Sequence, residues 1–244
     1  MEKPLILVAI CNYNHSKYLE ESIESIQNQT YSNLDICVIE DGSEDQENVI
    51  ELVKNLSNSD KRVRLLVNKQ NKGKWYCLNS AIESTSGTIC SSHDADDISL
   101  KDRIEIQHNV MVHTKTMHNL CGFYHCWKED EVQMRKDIML PTDHDISVMN
   151  PQNVSELVLA GFQHPKINHY FTGGFETAGV SAMFDRDLWR IGFRFNPPGL
   201  GLRTMLSEDS DFNFRVTSSI RSTSIVAEKL YLYRRNTSTN KELM

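Results

Sequence analysis

No hydrophobic run in this sequence approaches the roughly 20 residues that a membrane-spanning helix needs. The first residues, Met1 to Pro4, lead directly into a short apolar stretch, without the segments of a secretory signal. A basic excess is missing too, because 26 lysines and arginines stand against 33 aspartates and glutamates, giving a formal net charge of -7. We therefore expect no signal peptide, no membrane span and no nucleic-acid-binding surface.

A complete zinc-binding pattern is also lacking. Six cysteines occur, several of them inside apolar runs, and without a secretory signal we interpret them as reduced, buried thiols. Cys121 and Cys126 have His118 and His125 nearby, but no second Cys/His pair at a regular spacing completes a zinc site. We therefore favour structural roles for these four residues.

Glycine is sparse where phosphate-binding loops need it. The segment from Cys11 to Tyr18, after the first apolar run, contains no glycine, and the pattern Gly-x-x-x-x-Gly-Lys does not occur. The first absence argues against a sugar-nucleotide pyrophosphorylase, which needs a glycine-rich loop there to hold a triphosphate. The second excludes a P-loop nucleotide-binding site.

The first hundred residues alternate between short apolar runs and segments with helical spacing of apolar residues. At 244 residues, with 39% hydrophobic and 24% charged residues, the chain is long enough for one soluble domain. Four alternations of this kind predict an α/β fold with a parallel sheet and right-handed crossovers. The predicted strands are 5–11, 34–39, 63–67 and 88–92; the intervening helices contain residues 19–26, 49–56 and 75–82.

The second half is less regular. Ser99 to Asp102 has the pattern of a capping box that opens a helix. We interpret residues 128–178 as irregular structure around one short helix near 154–159, because they are polar and interrupted by proline. The other predicted elements are strands at 120–127, 180–184 and 230–233, helices at 185–191 and 208–216, and a Gly/Pro loop at 195–202.

The stretch Ser91 to Asp97 carries three carboxylates in four residues, at the end of a predicted strand. An Asp-x-Asp at this position brings Asp94 and Asp96 to the edge of the sheet where open α/β folds bind ligands. The spacing suits a divalent cation completed by substrate phosphates, because magnesium and manganese prefer oxygen ligands. The alternative is a capped loop, since aspartate also favours turns and first helical turns.

Several short motifs stand in order at the ends of these strands or beside helices. They are Ala9-Ile10-Cys11-Asn12-Tyr13-Asn14, Ile39-Glu40-Asp41-Gly42-Ser43, Asn71-Lys72-Gly73 followed by Asn79, Asp94-Ala95-Asp96-Asp97, and Glu208-Asp209. In this order they resemble the opening strand, Asp-Asp-Gly-Ser, Asn-x-Gly…Asn, metal and Glu-Asp motifs of a family 2 glycosyltransferase of the GT-A fold. The resemblance covers residues 4–112 well and 175–236 more loosely. Each motif alone is weak, whereas the ordered set is specific.

The resemblance implies a Rossmann-like, mostly parallel central sheet flanked by helices, with a less regular C-terminal half. We expect a single domain over 1–244, with a nucleotide-sugar-binding half at about 1–112 and an acceptor-binding half at about 113–244. The implied donor is a nucleotide-sugar, with a UDP-sugar favoured. The implied donor-binding residues are Asn12, Asn14, Asp41, Gly73, Lys74 and Asp94.

These donor residues have chemistry that agrees with the resemblance. Asp41 offers an acceptor-only group to the N–H of a uracil edge. Gly73 permits close approach of the backbone, and Lys74 offers a cation to the diphosphate. Many family members have arginine just before the second asparagine of the Asn-x-Gly…Asn motif, and Leu78 stands there instead.

The resemblance also implies a metal ligand and a catalytic base. Asp96 would bind Mn²⁺ or Mg²⁺ between the two phosphates. Asp209 would take the proton of the acceptor hydroxyl, and in-line displacement with one base inverts the anomeric configuration. Glu208 and Asp211 are further candidates beside it, although acidic residues are also favourable at a helix N-terminus for structural reasons.

The C-terminal segment departs from the family pattern. A histidine that reaches the metal often follows the arginine of this segment, and Asn236 stands there in Tyr231 to Asn236. The Gln-x-x-Arg-Trp signature of processive members is absent, so we expect transfer of a single hexosyl or N-acetylhexosaminyl group. The expected acceptor is a hydroxyl of a saccharide or lipid-linked saccharide in polysaccharide or glycan assembly. The expected location is the cytoplasm, with peripheral attachment to the inner face of a membrane as a further expectation.

The sequence leaves one alternative function, a binding module, and argues against a second, a glycoside hydrolase. A nucleotide-sugar-binding module without catalysis would explain Leu78 and the unusually polar run at 90–93, although the set of Asp94, Asp96 and Asp209 argues against it. A glycoside hydrolase would need two carboxylates flanking the scissile bond and would have little use for a metal motif.

Overall fold

The first half of the chain forms the predicted alternation of strands and helices. The computed structural model describes residues 3–138, 146–149, 169–172, 175–198, 207–220, 222–235 and 237. Up to residue 114 the elements are β1 (Ile6–Asn12), α1 (Ser16–Gln27), β2 (Leu34–Asp41), α2 (Gln46–Ser59), β3 (Val63–Asn68), α3 (Lys74–Ser84), β4 (Ile89–Asp94), β5 (Ile98–Ser99) and α4 (Arg103–Thr114). The predicted order is confirmed for all of these elements except β5, which was not predicted.

The remaining described elements complete one mixed sheet. They are β6 (His118–Cys126), α5 (Glu129–Arg135), β7 (Ile146–Met149), β8 (His169–Thr172), β9 (Phe175–Ala178), a 3₁₀ turn at Gly179–Ser181, β10 (Met183–Asp185), α6 (Arg186–Arg190), α7 (Glu208–Ser219) and β11 (Thr223–Arg234). The strand order is β3-β2-β1-β4-β10-β6-β11-β5, with β7 beside β11 and the β8–β9 hairpin beside β6. Strands β3, β2, β1 and β4 are mutually parallel, and β10 joins them to β6 by antiparallel pairing.

The carboxyl ends of the four parallel strands meet at one edge of the sheet. The strands β1, β2, β3 and β4 end at Asn12, Asp41, Asn68 and Asp94. In the register of the sheet, Cys11 pairs with Asp94, and Asp41 pairs with Asn68. Four parallel strands that each end on a polar side chain therefore deliver those side chains to the same edge, which is where open α/β sheets bind ligands.

Both faces of β1 and β2 are buried, which explains why these two strands have continuous apolar runs rather than alternating ones. On β1, Leu7 and Ala9 face a core completed by α3 and α7. Their neighbours Ile6 and Val8 face the opposite core, completed by α1 and α2. Helices on both faces hold the strands rigidly, so the polar residues at the strand ends are carried by a fixed scaffold.

The interpretation of residues 128–178 as irregular was incomplete. The structure has α5 at Glu129–Arg135 and three short strands between residues 146 and 178. Strands of four residues carry little local signal, and here they form because β11 and β6 supply backbone partners. The helix predicted near 154–159 lies outside the described residues.

The predicted capping box at Ser99 was wrong. Ser99 belongs to β5, where it pairs with Tyr231 of β11, and α4 begins only at Arg103. The backbone at Ser99 is therefore used by the sheet rather than by a helix N-terminus. The final strand also begins earlier than predicted, at Thr223 instead of residue 230, because it pairs in parallel with β6 along most of its length.

Candidate active site

A pocket of about 370 Å³ opens at the carboxyl edge of the parallel strands. Its wall contains seven of the residues predicted as site residues: Asn12, Asp41, Gly73, Lys74, Asp94, Asp96 and Glu208. These residues come from five segments that are far apart in sequence. The pocket is therefore a product of the sheet topology. Tyr13, His15, Asn71 and Tyr233 also line it.

Asp41 fixes the turn that forms one side of the pocket. Its carboxylate accepts hydrogen bonds from Asn68 Nδ2 at 2.7 Å and from the backbone N–H groups of Lys72 and Gly73, at 3.0 and 2.9 Å. The side chain is only 3% exposed. The Lys72 N–H also lies 3.1 Å from the second carboxylate oxygen, so the contacts from Asn68, Lys72 and Gly73 engage both oxygens and hold the side chain in one orientation.

Two glycines permit this turn. Gly42 and Gly73 have φ angles of +77° and +88°, in the region that other residues avoid. A Cβ on Gly42 would lie 2.7 Å from the backbone nitrogen of Asn71, so a side chain there would push the turn away from β2. Because of these two glycines, the turn at residues 71–73 lies close enough to Asp41 for its backbone N–H groups to donate to that carboxylate.

Glu40 is a buried residue that sequence reasoning passed over. Its carboxylate accepts from Asn12 Nδ2 at 2.5 Å and from the backbone N–H of Ser43 at 2.6 Å. Asn14, predicted to bind the donor, contacts the neighbouring turn: its N–H donates to Ser43 Oγ and its Oδ1 accepts from the N–H of Glu44, both at 2.9 Å. Asn12 lines the pocket, whereas Asn14 is not among the described residues that do.

Lys74 lies between two carboxylates that are far apart in the chain. Its Nζ is 2.5 Å from Asp94 Oδ1 and 2.8 Å from Asp209 Oδ2. Burial alone would lower the pKa of Lys74, but the carboxylates of Asp209 and Asp94 outweigh it and hold that pKa well above its usual range. Lys74 is therefore a permanent cation that joins α3, the end of β4 and the start of α7.

Asp209 contacts Lys74, which lines the pocket, and one of its two carboxylate oxygens has no hydrogen-bond partner among the described residues. It is not itself among the described residues of the pocket wall, but its Oδ2 accepts from the lining residue Lys74. Oδ1 is buried without a hydrogen-bond partner among the described residues. Burial raises the pKa of Asp209 to about 6, with Lys74 opposing that shift and Asp94 adding to it. A carboxylate with a pKa near neutrality and a free oxygen has the properties of a general base.

The other two acidic candidates of α7 differ in position. Glu208, the neighbour of Asp209, lines the pocket. Asp211 points elsewhere, because its Oδ2 accepts from Asn196 Nδ2 at 3.0 Å and from Arg215 Nε at 2.8 Å. Asp211 therefore ties α7 to the segment after α6, and it is not among the described residues that line the pocket.

The acidic loop after β4 could hold a divalent cation. Asp94, Asp96 and Asp97 each place a carboxylate oxygen within 4.8 Å of the others. Burial, and then the charge of Asp94, raise the pKa of Asp96. Close, partly buried carboxylates repel one another without a counter-charge, and they are the hard oxygen donors that Mg²⁺ and Mn²⁺ prefer. The residues present thus fit such an ion.

Arg234, at the end of β11, holds this loop in place. Its Nη1 donates to the carbonyl oxygen of Asp96 at 2.7 Å, and its backbone N–H donates to Asp97 Oδ1 at 2.8 Å. The guanidinium also contacts the carboxylates of Glu21 and Glu129, on α1 and α5. Arg234 is only 3% exposed. One side chain therefore links the acidic loop to two helices.

We expect Arg234→Lys to lower the free energy of unfolding by about 3 kcal/mol, because a single ammonium cannot reproduce the planar fork that reaches Asp96, Glu21 and Glu129 together. Chemical denaturation measures this change. Arg190→Lys is the matched control, since Arg190 is exposed and paired with Asp187 in solvent. Equal effects of the two substitutions would contradict the structural role given to Arg234.

The backbone of Asp94 is fixed separately. Its N–H donates to the hydroxyl of the buried Tyr231 at 3.1 Å, and its carbonyl accepts from Ser22 Oγ at 3.0 Å. These contacts come from β11 and α1. The acidic loop is therefore held by residues of both β11 and α1, as a site that must keep a ligand in one geometry requires.

Residues around the second asparagine of the Asn-x-Gly…Asn motif are structural. Leu78 is 1% exposed and packs in the core beside Cys77. Asn79 binds α6 and the segment after it: its Oδ1 accepts from Trp189 Nε1 at 3.0 Å, and its Nδ2 donates to the carbonyl of Phe195 at 2.8 Å. Lys74 is therefore the cation that α3 supplies to the pocket.

The cysteines and the helices agree with the expectations from composition. All six cysteines are free, and Cys121 and Cys126 are buried in β6. Within the described residues, the acidic loop is the one cluster of at least three such side chains with metal-ligand spacing. Among the described helices, none is long and apolar enough to cross a membrane.

A ligand pocket at the carboxyl ends of parallel strands, walled by carboxylates and one lysine, places the molecule in the class of open α/β proteins that bind ligands at this edge. Comparison with known families narrows the class. The model of glycosyl transferase family 2 matches residues 7–191. The chain therefore belongs to glycosyl transferase family 2, as the ordered motifs predicted.

Curated relatives agree with this membership. Over 102 residues the chain is 43% identical to an uncharacterized glycosyltransferase of Haemophilus influenzae, covering 42% of this chain and 31% of the relative. Over 112 residues it is 32% identical to the Escherichia coli UDP-Glc:alpha-D-GlcNAc-diphosphoundecaprenol beta-1,3-glucosyltransferase WfgD, covering 46% of this chain and 44% of that protein. The chain thus covers less than half the length of these relatives.

Solved structures confirm the fold. S. aureus TarS residues 1–349 in complex with UDP superposes with a TM-score of 0.65 at 16% identity, covering 94% of this chain and 60% of that one. The mannosyltransferase PcManGT from Pyrobaculum calidifontis, in complex with GDP-Man and Mn²⁺, gives a TM-score of 0.61 at 14% identity, covering 98% and 59%. The predicted GT-A architecture is confirmed.

Proposed function

We propose that this chain transfers a single sugar from a nucleotide-sugar to a hydroxyl acceptor, with inversion at the anomeric carbon and with help from a divalent cation. The observation that carries the proposal is Lys74, held between Asp94 and Asp209 beside the acidic loop. Lys74 thereby contacts both Asp94 of the acidic loop, the proposed metal site, and Asp209, the proposed base. In the proposed reaction the cation and the metal neutralise charge on the leaving diphosphate, and the base takes the proton of the acceptor hydroxyl.

The donor proposal rests on the pocket wall and on relatives. Asp41 lines the pocket with an acceptor-only carboxylate, which is suited to the N–H of a uracil edge, and Asn12 and Tyr13 form the wall beside it. Gly73 lets the backbone approach the ligand. WfgD is named for UDP-Glc, and TarS was solved with UDP. We favour a UDP-sugar donor, with either a hexosyl or an N-acetylhexosaminyl group.

Asp96 is the proposed metal ligand, and Asp94 the proposed partner of the donor ribose. Mn²⁺ or Mg²⁺ bound there would supply a Lewis acid that neutralises charge on the leaving diphosphate. Lys74 adds a second positive charge from the protein itself. An entering diphosphate offers Lys74 a further anionic partner, which loosens its contact with Asp209 and leaves that carboxylate free to accept a proton.

Asp209 is the proposed base. Its free Oδ1 accepts the proton from the acceptor hydroxyl while that oxygen attacks the anomeric carbon, and the bond from that carbon to the diphosphate oxygen breaks on the opposite face. One displacement inverts the configuration. Glu208, in the pocket wall, is proposed to contact the acceptor or the sugar and not to take the proton, because adjacent helical residues point about 100° apart.

The acceptor is proposed to be a saccharide or lipid-linked saccharide in glycan or polysaccharide assembly. WfgD is named for a lipid-linked acceptor, GlcNAc-diphosphoundecaprenol. With such an acceptor the reaction would take place at a membrane surface. We further propose one domain, in which residues up to about 112 bind the donor and the later ones bind the acceptor.

Release of free nucleotide from a panel of UDP-, GDP- and TDP-sugars tests this function. With Mn²⁺ or Mg²⁺ we expect slow hydrolysis of one donor, most rapid for a UDP-sugar, and none in the presence of a chelator. Metal-dependent nucleotide binding without any turnover, with or without saccharide acceptors, would favour the alternative of a binding module that has lost catalysis. Turnover that a chelator leaves unchanged would contradict the metal-assisted mechanism.

A further inference from the structure

His15 is a pocket residue to which the motifs assign no function. It stands between the turn after β1 and the first residue of α1, and its side chain is about 10% exposed. Its carbonyl accepts from the N–H of Tyr18 at 2.9 Å, so the backbone of the first helical turn fixes the position of the residue. His15 lines the same pocket as Asp96 of the acidic loop.

The distance between His15 and Asp96 fits a shared ion better than a direct bond. Nδ1 of His15 lies 3.6 Å from Oδ2 of Asp96, which is too long for a hydrogen bond. Two ligands that are each about 2.1 Å from one ion are about 3 Å apart when perpendicular and about 4.2 Å apart when opposite. The observed separation lies within this range.

We propose that His15 is a protein ligand of the divalent cation, together with Asp96, and that it makes the site prefer Mn²⁺ to Mg²⁺. The proposal rests on the proposed metal-assisted sugar transfer. Imidazole suits first-row transition ions, whereas Mg²⁺ is bound by oxygen. A nitrogen ligand in a site that is otherwise made of carboxylates therefore favours Mn²⁺ over Mg²⁺.

His15 has one competing role that the same geometry permits. As an imidazolium it would be a counter-charge for Asp96 or for the donor diphosphate, without contacting the ion. Substitution of His15 would reduce activity in this case too, just as it would if His15 were a metal ligand. A spectroscopic measurement of the ion's ligands is therefore needed, because it separates a nitrogen ligand from a nearby charge.

Electron spin echo envelope modulation, recorded on Mn²⁺ bound to the full chain with UDP, detects nitrogen ligands of the ion. We expect ¹⁴N modulation from a histidine ligand in the wild type, and its loss in His15→Gln. The matched control is His113→Gln, which replaces an exposed histidine of α4 outside the pocket wall and should keep the wild-type signal. By calorimetry, His15→Gln should weaken Mn²⁺ binding at least about 10-fold, and Mg²⁺ binding less.

Three results would overturn the proposal, and they are distinguishable. Bound Mn²⁺ without histidine ¹⁴N modulation in the wild type, or modulation that persists in His15→Gln, shows that His15 is not a ligand while the metal site itself stands. Equal weakening of Mn²⁺ and Mg²⁺ binding contradicts the selectivity. Failure of the wild type to bind Mn²⁺ with UDP removes both this inference and the proposed metal-assisted function.

Discussion

Replacing Asp209 by asparagine is expected to reduce kcat about 1,000-fold while leaving the affinity for the donor nucleotide within about threefold of the wild type. A positioned general base contributes about 10²–10⁴-fold to a rate, and asparagine cannot accept the proton. The amide oxygen still accepts a hydrogen bond from Lys74, so the contact seen at 2.8 Å is preserved. Steady-state kinetics with the active donor, and calorimetry with its nucleotide, measure the two quantities.

Glu208→Gln is the matched control for this substitution. It removes a neighbouring carboxylate of the same pocket region with the same change of charge, and we expect less than about a 10-fold loss in kcat. The opposite ranking of the two variants would transfer the role of base from Asp209 to Glu208. Thermal unfolding of both variants checks that neither loss of activity comes from misfolding.

The same assignment predicts the acid limb of the pH profile. Burial raises the pKa of Asp209 to about 6, so the carboxylate is ionised above that pH and protonated below it. Only the ionised form accepts a proton, and kcat/KM should therefore fall as the pH drops through about 6. In Asp209→Asn, the residual activity should lack this limb. An acid limb that persists unchanged in the variant would assign it to another group.

Asp96→Asn is expected to abolish the dependence of UDP binding on metal and to reduce turnover at least about 1,000-fold. Asparagine keeps the shape of the side chain but removes the negative charge that the ion needs, in a loop whose other contacts come from Arg234 and Tyr231. Calorimetric titration of UDP with Mn²⁺ and with chelator measures the change.

Asp130→Asn provides the control for Asp96→Asn, because Asp130 is an exposed carboxylate of α5 outside the pocket wall. It should bind UDP and Mn²⁺ as the wild type does. Metal-dependent UDP binding that survives in Asp96→Asn would show that the ion is held by other groups, and would require a different ligand set.

The ends of the parallel strands could be predicted because the sequence patterns that mark them are local. The runs that became β1, β2 and β4 each end on a polar residue, at Asn12, Asp41 and Asp94. Parallel strands bring such ends together whatever the details of packing. The sequence therefore predicted both the fold and the edge at which the pocket lies.

The contacts that organise the pocket could not be predicted from local sequence patterns, because they join segments that are far apart in the chain. Nothing near Lys74 in sequence indicates that its ammonium lies between Asp94 and Asp209. Arg234 reaches the acidic loop from the last described strand, across 138 residues of sequence. The short strands between 146 and 178 depend in the same way on partners elsewhere in the sheet.

The central claim is that the pocket at the strand ends binds a nucleotide diphosphate through a metal. Calorimetric titration of the wild-type chain with UDP, once with Mn²⁺ and once with chelator, tests it most directly. We predict saturable binding of one UDP per chain that is at least about 10-fold tighter with Mn²⁺. Absence of nucleotide binding, or binding that is the same with and without the metal, would contradict the account.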